Sequence, residues 1–296
     1  MLLQPYVKWN GKTVALSDGH GEETAGKRTP YMKSLKRSIR ENEFNSAVVS
    51  FLAEKLRWLG FRVLLVAPND YDTPLKLRVD RANSHNVDIY VSVHYNAIDG
   101  KFDGDSKDPS GHSVHIYPKS KESRKLAEKI LKHLRGGTKQ KNRGIVEQNL
   151  YETRETKMPS VLTENGFMDN EREANLMLNV SFQKEVATEH AKGICEYFGV
   201  QYSEPTPKAS KPPKETKGKL FYRVVTGSFA DRKNAEERME TLKKRGFDSF
   251  LEISSKSKKQ YFRVVTGSFE DRENAEIQLE KLTKTGFESF LSVFHK

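Results

Sequence analysis

The sequence predicts an α/β fold, a mostly parallel twisted sheet with helices on both faces, followed by a small α+β domain of βαββαβ (RNP-like) order. Three observations carry this expectation. Strand-like and helix-like patterns alternate through roughly the first 200 residues, as in sheets covered on both faces. Composition then breaks at "SEPTPKASKPPKETKGK" (203–219), where Pro, Ser, Thr and Lys dominate and large apolar residues are absent, the pattern of an extended linker. Beyond it, segments 221–251 and 261–291, offset by 40, are identical at 20 of 31 positions.

In order along the chain, strands are expected at "KTVALS", "FRVLLVA", "DIYVSVH", "HSVHIY" and "PSVLTE". These are near-continuous apolar runs of the kind buried on both faces of a parallel sheet. Helices are expected over 41–58, 74–85, 121–134, 171–180 and 182–197, where apolar residues recur at helical spacing. In the repeat, each copy reads strand, helix, strand. "RVVTGSF" is rich in β-formers, Asp231 and Asp271 suit N-caps, and Gly246 and Gly286 suit the position after a helix. Ala235, Met239 and Leu242 share one helical face, as do Ala275, Leu279 and Leu282. One such unit is too small to bury a core alone, so the two combine into a split βαβ sandwich. The expected domains are therefore 1–202, a linker at 203–218, and 219–296.

The chain has 296 residues and a formal charge of +11. Lys and Arg exceed Asp and Glu by 31 to 26 before residue 203 and by 20 to 14 after it. The basic excess suits a polyanionic partner such as an anionic wall, but it lacks the dense stripe of a dedicated nucleic-acid reader, so no nucleic-acid partner is expected. No apolar run reaches the roughly 18–20 residues that span a bilayer, which predicts no integral membrane segment. The start "MLLQPYVKWNGK" lacks the pattern of a secretory signal, so cytoplasmic synthesis and later release are expected. The single cysteine, Cys195, excludes a disulfide framework and reads as a buried apolar residue.

Ligands of α/β sheets gather at the carboxyl ends of strands. His20 follows "TVALSDG", His94 follows "DIYVSV" with Asn96 just beyond, and Glu164 follows "PSVLT". A charged residue at such a point is rarely buried without a partner. A fourth candidate opens the helix "ENEFNSAVVSFLAEKLRW". Helical spacing puts Glu41 on the face of Phe44, Val48 and Leu52, and Glu43 on the more exposed face of Ser46 and Ser50. A register slip of two would make Glu43 the inward carboxylate instead. Two histidines and a carboxylate suit one zinc ion with a position left for water, whose pKa such an ion lowers to about 7. Glu164 would then be the general base of an amide hydrolysis.

"DGHG", "ENEFN", "VDRANSHNVDIYVSVHYNA" and "RGIVEQNLYETRETKMPSVLTENGFMDNERE" together resemble, in order, four blocks of the zinc-dependent N-acetylmuramoyl-L-alanine amidases (the Amidase_3 family). The resemblance covers about residues 12–199. It implies His20, Glu41 and His94 as zinc ligands, Glu164 as catalytic acid/base, and peptidoglycan as substrate, cut between N-acetylmuramic acid and L-alanine. The family's usual Asp-Pro-Gly-His-Gly-Gly is here Ser17, Asp18, Gly19, His20, Gly21, Glu22. The tail repeat is similar to a SPOR domain, which implies binding of glycan strands; an RNA-recognition module shares the strand order, but only Phe229 and Phe269 stand at the strand ends. Such a wall hydrolase without a signal fits an endolysin or a mother-cell-lysis amidase of sporulation. The alternatives are a metallocarboxypeptidase acting on stem peptides and a non-catalytic wall binder.

Other residues have less specific readings. Arg154 would contact substrate or pair with Glu152 or Glu155. Asn96 would bind substrate or cap a turn. His112 and His115 would bind a metal or lie on a strand surface or glycan-facing groove, and His85, His133, His190 and His295 would lie on a helix or terminus surface. The basic stretch with Lys27, Arg28, Lys33, Lys36, Arg37 and Arg40 would be a solvated loop or a contact for wall anions.

Overall fold

Alternation along the central strands sorts side chains to two unlike layers. Val14 and Leu16 of β2 (Thr13–Asp18), with Val91, Val93 and Tyr95 of β4 (Ile89–Asn96), enter one large apolar core. Ala15 and Tyr90, one residue out of step, enter a smaller cluster with Leu64, Val66 and Ala82 on the opposite face. The computed structural model describes residues 1–68, 71–104, 107–204, 220–256 and 259–295. The chain divides into two compact units, and the division lies within 205–219; the expected linker thus falls outside the described residues apart from its first two.

The first unit holds a seven-stranded sheet in the order β1-β3-β2-β4-β7-β5-β6. Its other strands are β1 (Leu2–Leu3), β3 (Arg62–Leu65), β5 (His112–Ile116), β6 (Asn142–Glu147) and β7 (Ser160–Phe167). Strands β3, β2, β4 and β7 run parallel, while β1 is antiparallel to β3 and β5 to β7. Residues of α1 (Glu41–Trp58), α3 (Lys121–Gly137) and α6 (Val180–Phe198) fill the large core, and α2 (Leu75–Ser84) supplies Ala82 to the other face. The short α4 (Tyr151–Glu155) packs with α2, and α5 (Glu171–Met177) precedes α6. From β2 the chain passes to β3 on one side, then crosses to β4 on the other. The strand order reverses between β2 and β4, which is where an open α/β sheet forms its crevice.

Local chemistry sets the helix ends. Asn170 and Asn179 cap α5 and α6 by accepting from Glu173 N and Phe182 N, and Gly199 closes α6 at φ 67°. α1 lacks a capping hydroxyl; Glu43 turns back instead and accepts from Arg40 N at 2.8 Å. β1 (Leu2–Leu3) was not expected from the sequence, and the observed elements depart from the sequence pattern elsewhere as well. β3 covers only 62–65 of "FRVLLVA". Neither β6 nor α4 was expected, because "NRGIVEQNLYETRE" has no sustained period of either kind. β5 reverses direction, a pairing that local sequence does not encode.

The second unit is a four-stranded antiparallel sheet in the order β11-β8-β10-β9, formed by β8 (Leu220–Phe229), β9 (Phe250–Lys256), β10 (Lys259–Phe269) and β11 (Phe290–His295). Helices α7 (Arg232–Lys244) and α8 (Arg272–Lys284) cover one face, with Tyr222, Val224, Ala235, Leu242, Val264, Ala275, Leu282 and Phe287 as its core. Arg223, Glu252 and Arg263 alternate with core positions and stand on the other face, with Arg263 opposite Glu252 in register. Asp231 caps α7, and Gly246 and Gly286 follow the two helices at φ 81° and 86°, as the repeat predicts. Among the described residues, no helix is long and apolar enough to cross a membrane.

Gly193 lets α6 lie directly on α3: a Cβ there would stand 2.6 Å from Ile130 Cα. Gly193→Ala should therefore destabilise the first unit by about 1–3 kcal/mol, visible as a drop of several degrees in its thermal midpoint. An unchanged midpoint would show that the helices part freely.

Candidate active site

The site is built where β2 and β4 end. Gly19 N donates to Val93 O at 3.0 Å, which ties the turn after β2 to β4. The left-handed residue in this turn is His20 itself, at φ 62°, so the flanking glycines serve close approach and not unusual dihedrals. A Cβ on Gly19 would stand 2.2 Å from the His94 ring, and one on Gly21 would stand 2.1 Å from the Asp72 backbone. Asn42 and Asn45, on the first turns of α1, hold the turn by donating to His20 O at 3.1 Å and Gly19 O at 3.0 Å.

Glu41, 1% exposed, lies between the two histidines. Its Oε2 is 3.3 Å from His20 Nε2, and its Oε1 is 3.0 Å from His94 Nδ1. The imidazole rings meet edge-on with centroids 5.0 Å apart. Oε1 also accepts from Tyr95 N and Asn45 Nδ2, each at 3.1 Å. One nitrogen from each histidine and one carboxylate oxygen lie within 4.8 Å of one another. Glu43 points elsewhere, gripped by both terminal nitrogens of Arg37 at 2.7 and 2.8 Å. The helical-face argument for Glu41 over Glu43 thus agrees with the geometry.

Glu164 stands beside His94, its register partner across β4 and β7. Its Oε2 is buried without a hydrogen-bond partner among the described residues. Burial pushes the Glu164 carboxyl up to about 8, the charge of Glu41 adding to the effect and that of His94 opposing it. For Glu41, burial works in the same direction but is outweighed by the hydrogen bond to His94 and the histidine charges, leaving it at about 2. His20 is lowered to about 4 by burial. Burial also opposes charge on His94, but the Glu152 carboxylate close to Nε2, the hydrogen bond to Glu41 and the charges of Glu41 and Glu164 raise it to about 10. Two imidazoles and a carboxylate held well below its usual range are a donor set that fits zinc, and the carboxyl beside them, with one oxygen unpartnered among the described residues, is a group available for proton transfer.

Sequence reasoning missed a layer beneath this group. Glu152 of α4, 4% exposed, accepts from Ser17 Oγ at 2.8 Å, from Tyr90 OH and from Ser92 Oγ, and lies 3.8 Å from His94 Nε2. Arg78 of α2 donates to Ser17 Oγ at 2.9 Å, to Asp18 O, and to His20 O at 3.1 Å. The available signal was period two: Ala15 and Ser17, then Tyr90, Ser92 and His94, share one sheet face. Glu152 gave none, since α4 was not expected.

The remaining candidates sort differently. Arg154 pairs with Glu155 at 2.7 Å and Asn149 at 2.6 Å, and Asn96 accepts from Ala97 N at 2.8 Å as a turn cap. His112 and His115 are buried in β5 and not on a surface; His112 meets Thr138, and His115 meets Ser113 and Gln148. His190, expected outside, is fully buried and bonded to Val186 O and Thr163, because α6 turns that face to the sheet. His133 is half-buried against Glu196, His85 is exposed, and the side chain of His295 lies outside what is described. Cys195 is buried, its thiol raised to about 12 by burial. The basic stretch is a hairpin anchored by buried Met32 and Ile39, with Arg37 and Arg40 facing Glu43 and Glu22.

Gly19→Ala should push the His94 ring aside and weaken zinc binding at least about tenfold, read by competition with a chromophoric chelator. Wild-type affinity in that variant would show the ring to be free to move.

Residues 14–196 match the family described as N-acetylmuramoyl-L-alanine amidase, and 205–251 and 218–292 match the SPOR domain. The chain is 28% identical over 193 residues to a sporulation-specific N-acetylmuramoyl-L-alanine amidase of Bacillus subtilis, covering 65% of this chain and 67% of that protein. It is 30% identical over 224 residues to the endolysin of Bacillus phage SPP1, covering 72% and 76%. The crystal structure of an N-acetylmuramoyl-L-alanine amidase from Clostridium difficile 630 superposes with a TM-score of 0.58 at 28% identity, over 65% of this chain and 99% of that one. The match spans 85% of one curated relative but 49% or 36% of three others. With the family matched over more than half its length, this chain belongs to the N-acetylmuramoyl-L-alanine amidases and carries a SPOR domain behind the amidase domain.

Proposed function

We propose that this peptidoglycan amidase hydrolyses the bond between N-acetylmuramic acid and L-alanine, with His20, Glu41 and His94 holding one zinc ion and Glu164 as general acid/base. The observation that carries the reading is the Glu41 carboxylate shared by two histidines with an unpartnered Glu164 in register beside them. A zinc ion held by His20, Glu41 and His94 would supply Lewis-acid chemistry toward the scissile carbonyl and a lowered pKa for the attacking water. Glu164 takes a proton from that water and returns it to the departing amine of L-alanine. Its buried position beside His94, with one oxygen unpartnered among the described residues, suits it to carry the proton between the two steps. The turn held by Asn42 and Asn45 keeps His20 in place, and the hydrogen bond from Tyr95 N fixes Glu41 without spending its second oxygen.

The SPOR domain is read as holding glycan strands on the sheet face that α7 and α8 leave uncovered, with the Pro- and Lys-rich stretch 203–218 as tether. Tethering raises the local concentration of bonds to be cut. Action at the cell wall, in a lytic or a sporulation setting, follows from this substrate.

Purified peptidoglycan incubated with the full chain should show new L-alanine amino termini and no new reducing sugars. Chelator should abolish the activity and zinc restore it. Reducing ends, or indifference to chelator, would sink the reading, and release of free amino acids from stem peptides would favour the carboxypeptidase.

Glu164→Gln should lower turnover by about 10²–10⁴ with zinc and wall binding retained. A carboxyl raised when folded loses stability for the fold as pH rises from its unfolded value near 4.5 through about 8. Zinc-free Glu164→Gln should therefore gain on wild type in denaturation midpoint across that window, and equal midpoints at pH 9 would contradict the burial of this carboxyl.

Removing 203–296 should reduce retention on sedimented peptidoglycan at least about tenfold while leaving measurable hydrolysis. Undiminished retention would remove the tail from the binding role.

A further inference from the structure

We propose that Glu152 is a positioning residue for His94: through Ser92 it holds the ring Nε2–H and so presents Nδ1 as the ligating atom. This rests on the reading of His94 as a metal ligand and goes beyond it by naming what sets its tautomer.

The hydrogen-bond directions carry the inference. Glu152 is an acceptor, and Ser92 Oγ lies 3.3 and 3.4 Å from its two oxygens. Ser92 therefore donates its one proton to Glu152 and has only lone pairs left for His94 Nε2, 3.1 Å away. His94 Nε2 must then be the donor, toward Ser92 and toward Glu152 Oε2 at 3.8 Å. In the neutral ring that leaves Nδ1 bare, and Nδ1 is the atom on the side of Glu41 and His20. A histidine ligand commonly gives its second N–H to a carboxylate or a polar relay, which fixes both tautomer and ring plane.

Glu152 is unsuited to any other part in the reaction. Its Oε1 already accepts from Ser17, Tyr90 and Ser92, and it is buried behind the histidine. Its charge is answered by Arg78, 1% exposed, through Ser17. The same guanidinium holds the carbonyls of Asp18 and His20. Two buried, opposite charges bridged by the Ser17 hydroxyl thus support the ring of His94 and the backbone of His20 together. Ser17 is the link: an O–H that accepts from Arg78 and donates to Glu152.

The test uses the full chain with zinc alone as probe. Long-range ¹H–¹⁵N spectra of histidine-labelled, zinc-loaded wild type should show His94, assigned by its loss in His94→Ala, protonated at Nε2 and ligating through Nδ1. A ring that ligates through Nε2 overturns the proposal without any variant of Glu152. In chelator competition, Glu152→Gln should bind zinc about 10–100-fold more weakly, and its His94 signal should lose the single Nε2–H form. Wild-type affinity and an unchanged signal in Glu152→Gln, even with a lowered thermal midpoint, would reduce Glu152 to a structural group. If His94→Ala itself binds zinc as wild type does, the ligand reading fails, a result separate from any effect at Glu152.

Discussion

The Glu41 carboxylate between His20 and His94 is the interaction on which the rest of the amidase domain depends. A buried carboxylate is costly unless charge and hydrogen bonds surround it. Here both oxygens face imidazole nitrogens, and Tyr95 N and Asn45 supply further donors. Its position at the start of α1 adds the favourable end of the helix dipole. These supports come from the turn after β2, from β4 and from α1 itself, so the carboxylate is satisfied only when the three are assembled.

The sheet separates stability from chemistry by the period of two. Val91, Val93 and Tyr95 of β4 face the large core under α1, α3 and α6, while Tyr90, Ser92 and His94 face a hydrogen-bonded layer with Ser17, Glu152 and Arg78. A hydrogen-bonded layer beneath a site resists rearrangement, because losing any one partner strands a buried polar group. Gly19 belongs to the same economy of space: the His94 ring occupies the volume a Cβ would need.

The tail reaches a core by duplication. Neither half closes alone, but β8 and β10 pair at the centre of the sheet and α7 and α8 share one face. The two copies therefore occupy equivalent positions around a common core. Tyr222, Val224 and Val264 lie inside, and Arg223 and Arg263 lie on the uncovered face.

Several features were determined by the sequence alone, because they rest on local periodicity and on strand ends. These include the α/β alternation, the 41–58 helix, the duplicated tail, and the placement of His20, Glu41, His94 and Glu164 at strand and helix ends that meet. Glu41 was separable from Glu43 because helical spacing alone puts it on the face of Phe44 and Val48. Other features depended on contacts distant in sequence. Glu152 and Arg78 meet across Ser17 at separations of 135 and 61 residues, and nothing local marks either as buried. The burial of His112, His115 and His190 was hidden for the same reason, since a polar residue in a short strand or helix reads as exposed until its neighbours are known. The glycines beside His20 leave room for elements distant in sequence: the His94 ring fills the space of a Cβ on Gly19, and the Asp72 backbone that of one on Gly21. Only tertiary structure decides such cases, because the constraint is the space another element fills, and local sequence carries no record of that space.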